Sequence, residues 1–135
     1  FDAKRLSLLP KIASALKQDD LRVDVLNEAD DLESRSSAFE AFVSGETDVL
    51  LTTELAAGGL DAPRTSLGVN FDVPRTATDY LHRAGRTARR GRNGAVLTIC
   101  EENERFVVER FGNKLGVGIE EVEAGSEAYA RLAGE

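Results

Sequence analysis

The sequence predicts an α/β domain built on a mainly parallel sheet. Short apolar or alternating runs (21–27, 48–53, 66–71, 94–100) alternate with segments of helical spacing (4–17, 32–42, 76–90). The connections between runs are long enough for crossovers, so the strands can lie parallel with both faces of the sheet covered. The chain's 135 residues, 41% of them hydrophobic, suffice for one core and are too few for two comfortable ones.

Each element has its own signal. KRLSLLPKIASALK (4–17) has apolar residues at 6, 8, 9, 12, 13 and 16, a helical period that Pro10 is expected to interrupt. LRVDVLN (21–27) alternates Leu21, Val23 and Val25 with other residues, the period of a strand. LESRSSAFEAF (32–42) returns to helical spacing and is closed by Ser44 and Gly45. DVLLTT (48–53) is an apolar run of the kind buried in parallel sheets, ELAAGGLDAP (54–63) reads mostly as loop, and SLGVNF (66–71) is a further strand. Thr76 and Asp79 stand as N-cap and third position of a helix predicted to run to about Arg90. GAVLTIC (94–100) is the fourth strand, and Val107, Phe111 and Leu115 mark the apolar face of a last helix.

Composition narrows the function. No apolar run approaches the roughly 20 residues that span a bilayer, which points to a soluble intracellular protein without membrane partners; the compartment is left open, an organelle included. One cysteine and one histidine cannot make a structural zinc site, and Cys100 is expected to be a small buried residue. The chain starts FDAKR and contains no Met, so it is expected to continue a longer polypeptide. Its net charge is -7, yet 75–92 carries six arginines against Asp79 alone, a local +5 that leaves -12 elsewhere. A focused basic cluster on an acidic chain suits one defined anion better than nonspecific coating of nucleic acid.

HRAGRTARRGR (82–92) holds five of those arginines and the only histidine. On a continuous helix His82, Arg86 and Arg89 would share a face, as would Arg83, Arg86 and Arg90. Guanidinium is permanently charged and forks onto two oxygens, so converging arginines suit a phosphoryl group; a solvated arginine face is the plainer alternative. TTELAAGGLD (52–61) offers two hydroxyls, small residues and exposed backbone to a sugar-phosphate chain, and Asp61 could accept from a ribose hydroxyl, although taken alone the segment reads better as a structural turn. There is no GxxxxGKS or GxxxxGKT, so this chain holds at most half of a nucleotide site. Both segments follow strands and are expected to share the sheet edge where ligands of such folds sit.

Taken jointly, these segments resemble the C-terminal RecA-like domain of DEAD-box ATP-dependent RNA helicases. HRAGRTAR (82–89) is similar to the family's motif VI, HRxGRxxR; residues 53–61 are similar to motif V, T-D-x-A-A-R-G-x-D; and NFDVPRTATDYLHR (70–83) is similar to the strand and helix that lead into motif VI. The agreement covers roughly residues 3 to 115. It implies a three-layer RecA-like fold of the P-loop NTPase type over 1–118, missing its first strand, followed by an acidic C-terminal extension over 119–135. It also implies that Arg86 and Arg89 are arginine fingers on the ATP γ-phosphate, that Asp61 meets the ribose, and that Thr53, Gly59 and Arg35 touch RNA. His82 would couple the nucleotide and RNA sites, and Arg83 would contact the partner domain. ATP, with its Mg2+, would be held mainly by an N-terminal RecA-like domain carrying the Walker A lysine and the Asp-Glu-Ala-Asp segment.

The match departs from the family pattern at Gly58, where motif V has Arg, at Glu54, where it has Asp, and at Asn27 and Leu32, where His and Gln usually precede Arg35. The function implied is the C-terminal half of an RNA-dependent ATPase that unwinds duplexes locally or remodels ribonucleoproteins, inactive as a fragment, with RNA and ribonucleoprotein or ribosome-assembly partners. The alternative is a helicase-like RNA clamp or assembly factor with little turnover, which Gly58 favours. A DNA helicase of a related superfamily is disfavoured by HRAGRTAR itself.

Overall fold

The computed structural model describes residues 8–27, 29–53, 62, 64–87, 94–123 and 126–127. They divide into two compact units, Phe1–Arg64 and Thr65–Glu135. Each unit is a parallel strand pair with helices packed on it.

In the first unit, helix α1 (Leu9–Gln18) precedes strand β1 (Val23–Leu26), helix α2 (Leu32–Ser44) and strand β2 (Val49–Thr52). Pro10 does not interrupt the predicted helix; it sits in its opening positions, where a missing N–H costs nothing and φ is already helical. Residues 1–7 lie outside those described. Leu9 and Ala13 bury their side chains, and Asp20, at φ 61°, turns the chain into β1. β1 and β2 pair in parallel from Val23↔Val49 to Leu26↔Thr52, with α2 as the crossover. Burial at Val23 and Leu26, rather than on alternate residues, is what a strand enclosed on both faces shows. Asp31 caps α2 by accepting from the Ser34 N–H at 2.7 Å, and Gly45 ends it in the left-handed region at φ 86°, as the Ser-Gly stop predicted.

The starts of β1 and β2 are joined by one ion pair. Arg22 donates from Nε and Nη2 to the two Asp48 carboxylate oxygens at 3.1 and 2.8 Å, and from its backbone N–H at 2.9 Å. The Arg22 carbonyl accepts from Asp48 and Val49 in return. This fork holds the Asp48 carboxyl well below its ordinary range, at about 2. A depressed carboxylate stabilises the fold above its unfolded pKa of about 3.9, and that contribution is lost as pH falls through the folded value. Thermal midpoints of the domain and of Asp48→Asn should therefore differ at pH 6 and converge between about pH 4 and pH 2. A gap that persists undiminished at pH 2 would rule out this charge as the source.

The second unit contains strand β3 (Leu67–Asn70), helix α3 (Ala77–Ala84), strand β4 (Ala95–Thr98) and, after a 3-10 turn at Glu102–Glu104, helix α4 (Arg105–Leu115). β3 and β4 are parallel, from Leu67↔Ala95 to Asn70↔Thr98. The last pair of the register is polar and buried on the β3 side: Asn70 Nδ2 donates to Thr98 Oγ1 at 3.1 Å. Tyr80 of α3 meets Phe111 of α4, ring centroids 6.0 Å apart. The buried face of α4 is Val108, Phe111 and Gly112 rather than the predicted Val107, Phe111 and Leu115; all keep helical spacing, but contact with Tyr80 and the returning chain selects the neighbouring stripe. Gly112 is small of necessity, since a Cβ there would lie 3.1 Å from the Val117 carbonyl and 3.4 Å from Ile119. Gly116, left-handed at φ 68°, turns the chain back, and Arg105 grips Glu121 at 2.6 Å, so the start of the acidic extension is fastened to α4. Cys100 is exposed, contrary to expectation: β4 ends at Thr98, and the chain leaves the sheet at Ile99, whose N–H still reaches the Asn70 carbonyl.

Candidate nucleotide and RNA interface

In the first unit, the carboxyl ends of β1 and β2 lie side by side because Leu26 and Thr52 are register partners. The chain leaving β1 passes Asn27, whose carbonyl and Oδ1 accept from the Asp30 and Ala29 N–H groups, and enters α2 at the same edge. Arg35 stands in the first turn of α2, its N–H on the Asp31 carbonyl, and Thr53 follows β2 directly. The topology thus brings Arg35 and Thr53 to one edge. Arg35 is half-buried and Thr53 only 2% exposed. The shallow cleft beside this helix start has Asp24, Asp30 and Glu33 among its lining, an acidic setting that repels phosphate, and Arg35 is not part of that lining. Glu54, Gly58, Gly59 and Asp61 of the motif V segment lie outside the described residues.

In the second unit, Thr76 caps α3 as predicted, its Oγ1 accepting from the Asp79 N–H at 3.0 Å. The helix does not run to Arg90. It ends at Ala84, and Gly85 follows with its N–H on the Leu81 carbonyl. Glycine is a poor helix residue, and beyond it the bonds tighten to three-residue steps, Arg86 N–H to the Arg83 carbonyl at 3.1 Å and Thr87 N–H to the Ala84 carbonyl at 3.2 Å. Thr87 is buried, and its hydroxyl donates to the Thr65 carbonyl at 2.7 Å. His82 and Arg83 are thus helical, Arg86 occupies a tightened turn after the helix, and the continuous face that would stack Arg86 on His82 is absent. Arg89 and Arg90 lie outside the described residues.

The turn's position also differs from expectation. Thr65 precedes β3, so the Arg86–Thr87 turn sits at the amino end of β3, not beyond a carboxyl edge. α3 leaves the carboxyl end of β3 and runs back along it. The Arg83 side chain points the other way, as helix side chains do, and donates to the Asp72 carbonyl at 3.0 Å, with Asn70 Oδ1 at 3.5 Å. Arg83 therefore fastens α3 to the exit of β3. His82 is exposed and half-buried Arg86 flanks the anchored Thr87.

Reading the sequence missed Asn70, Thr98 and Thr87. Asn70 carried a signal, a polar residue ending an apolar strand, because a buried amide requires a partner. Thr87 had none, since its acceptor lies 22 residues away.

The comparisons settle what this arrangement belongs to. A profile described as the helicase conserved C-terminal domain matches residues 3–91. DEAD-box ATP-dependent RNA helicase 36 of Arabidopsis thaliana is 36% identical over 108 residues, covering 78% of this chain and 22% of the relative. The chain belongs to the DEAD-box helicase C-terminal domains. The C-terminal domain of the DEAD-box protein Dbp5 superposes with a TM-score of 0.83 at 25% identity, over 96% of this chain and 78% of that one. S. cerevisiae Dbp5 bound to RNA and ADP BeF3 matches with a TM-score of 0.78 at 26% identity, over 94% of this chain and 34% of that one. The resemblance read from motifs V and VI and the RecA-like α/β fold are thereby borne out. This DEAD-box domain spans about a quarter or less of the curated relatives' length.

Proposed function

We propose that this DEAD-box domain is the C-terminal half of an RNA-dependent ATPase, and that its arginine cluster acts across a cleft on ATP held mainly by an N-terminal RecA-like domain. The observation that carries the reading is the placement of Arg86 in a turn anchored on both sides, within a sequence that keeps HRAGRTAR. The donor set fits a phosphate: guanidinium forks present hydrogen-bond donors only and suit no cation. When bound, ATP supplies the transferable γ-phosphoryl group, with Mg2+ partly neutralising its charge. Arg86 and Arg89 hold the charge that develops on the equatorial oxygens. Asp61 accepts from the ribose, and His82 couples the nucleotide and RNA sites.

On the RNA side, Arg35 offers a charge at the first turn of α2, Thr53 contributes from a buried position at the exit of β2, and Gly59 allows close backbone approach. The RNA and ADP BeF3 bound by the Dbp5 relative support the same pairing of ligands here. Local unwinding, ribonucleoprotein remodelling and assembly partners belong to the same reading. The test is RNA-stimulated ATP hydrolysis by the full-length protein; turnover indifferent to RNA would contradict it.

A second reading, an RNA clamp with weak turnover, draws on Gly58, which stands where the motif V pattern has Arg. Its absence removes one charged contact to the RNA backbone. Gly58→Arg in the full-length protein should tighten ATP-dependent RNA binding and steepen its salt dependence by a slope of up to ~1, one more phosphate being neutralised. Unchanged affinity in a variant with an unaltered thermal midpoint would show that position 58 does not limit RNA engagement.

A further inference from the structure

We infer that Thr87 is a positioning residue for Arg86, a role that rests on the reading of Arg86 as an arginine finger. Thr87 is 6% exposed, and its hydroxyl donates to the Thr65 carbonyl at 2.7 Å, a contact made across 22 residues of chain. Thr65 leads into β3, whose pairing with β4 begins where the Ala95 N–H meets the Ser66 carbonyl, so the acceptor stands directly before the start of the strand pair. Behind Arg86, its own N–H is fixed on the Arg83 carbonyl, and Arg83 is fastened to the Asp72 carbonyl. Arg86 is thus one residue wide between two anchors: α3 with its Arg83 clamp, and the Thr87 hydroxyl.

This arrangement answers a specific mechanical need. With the helix ended at Gly85, the backbone at Arg86 is held on its helix side by three-residue bonds, Arg86 to Arg83 and Thr87 to Ala84, and a constraint from the other side is needed to fix the direction in which Arg86 projects. Stabilising a transition state requires donors placed to a fraction of an ångström before the reaction begins. The Thr87 bond supplies that constraint from the side where the helix has stopped. Thr87 touches no reacting atom in this scheme; it sets the backbone from which the guanidinium projects.

The test uses the full-length protein with Thr87→Val, which keeps the shape and loses the hydroxyl, and Thr87→Ser, which keeps the hydroxyl and loses the methyl. Thr87→Val should lower kcat by ~10- to 100-fold, the cost of misplacing a group by about 1 Å, with KM for ATP near that of the unaltered protein. Thr87→Ser should restore most of the rate. In an Arg86→Ala background, Thr87→Val should cost little more, because the two residues act as one unit. Thr87→Ala serves as a second hydroxyl-free variant should Val prove unstable, with all rates taken below the thermal midpoints. Unchanged kcat in a hydroxyl-free variant, or the full additional loss in the Arg86→Ala background, would overturn the inference. Full turnover by Arg86→Ala alone would instead overturn the finger reading beneath it.

Discussion

Replacing Arg86 with Ala in the full-length protein is expected to lower kcat for RNA-stimulated ATP hydrolysis by ~10³-fold, the lower end of what removing an arginine finger costs. Arg89→Ala should do the same. The loss belongs in kcat because, on the proposed reading, the guanidinium meets charge that appears fully only as the γ-phosphoryl group transfers, whereas uniform substrate binding would affect KM. Arg86→Lys should not recover the rate, since an ammonium cannot fork onto two oxygens. The surface-helix alternative predicts near-normal rates in all three variants, measured against an unchanged thermal midpoint.

The isolated 135-residue domain is expected to show no RNA-stimulated ATP hydrolysis and to bind ATP far more weakly than the full-length protein. The reason is in the chain itself. It has no GxxxxGKS or GxxxxGKT to cradle the phosphates, and on the proposed reading its contribution consists of guanidinium groups that stabilise charge on a nucleotide positioned by something else. Holding the reactants in place is worth several kcal/mol of barrier, on the order of 7–11 in well-oriented systems, and arginines alone do not supply it. Turnover above background by the purified domain would refute the division of labour.

The strands were legible because each run was short, apolar and bounded, and β1 to β4 all fall within the predicted segments. The C-terminal end of α2 was legible for a local reason: Gly45 stops the helix by its own backbone freedom. Failures came where a neighbour in space decided. Periodicity alone makes Pro10 an interruption, but placement relative to a helix start turns the same residue into an initiator. The periodicity of the arginines predicts α3 continuing through Gly85; the helix stops there instead, and the hydroxyl of Thr87 finds the Thr65 carbonyl, an acceptor that no local pattern reveals. The expected stacking of His82 and Arg86 fails with that helix, while the presence of both in one short segment stands. Cysteine is usually buried, yet Cys100 is exposed because β4 ends two residues earlier. The site residues at 54–61 and 88–93 lie outside the described structure, so Asp61, Gly59 and Arg89 rest on sequence and on the family match.

The most direct test of the central claim, that this arginine cluster is aimed at the γ-phosphate, compares the affinity of the full-length protein for ADP alone and for ADP with beryllium fluoride, which stands in for the γ-phosphoryl group. RNA is present in both cases, and the comparison is repeated in Arg86→Ala. The account predicts that the unaltered protein prefers the beryllium fluoride complex, and that Arg86→Ala loses most of that preference while its affinity for ADP alone is unchanged. An Arg86→Ala protein that keeps the full preference would contradict it.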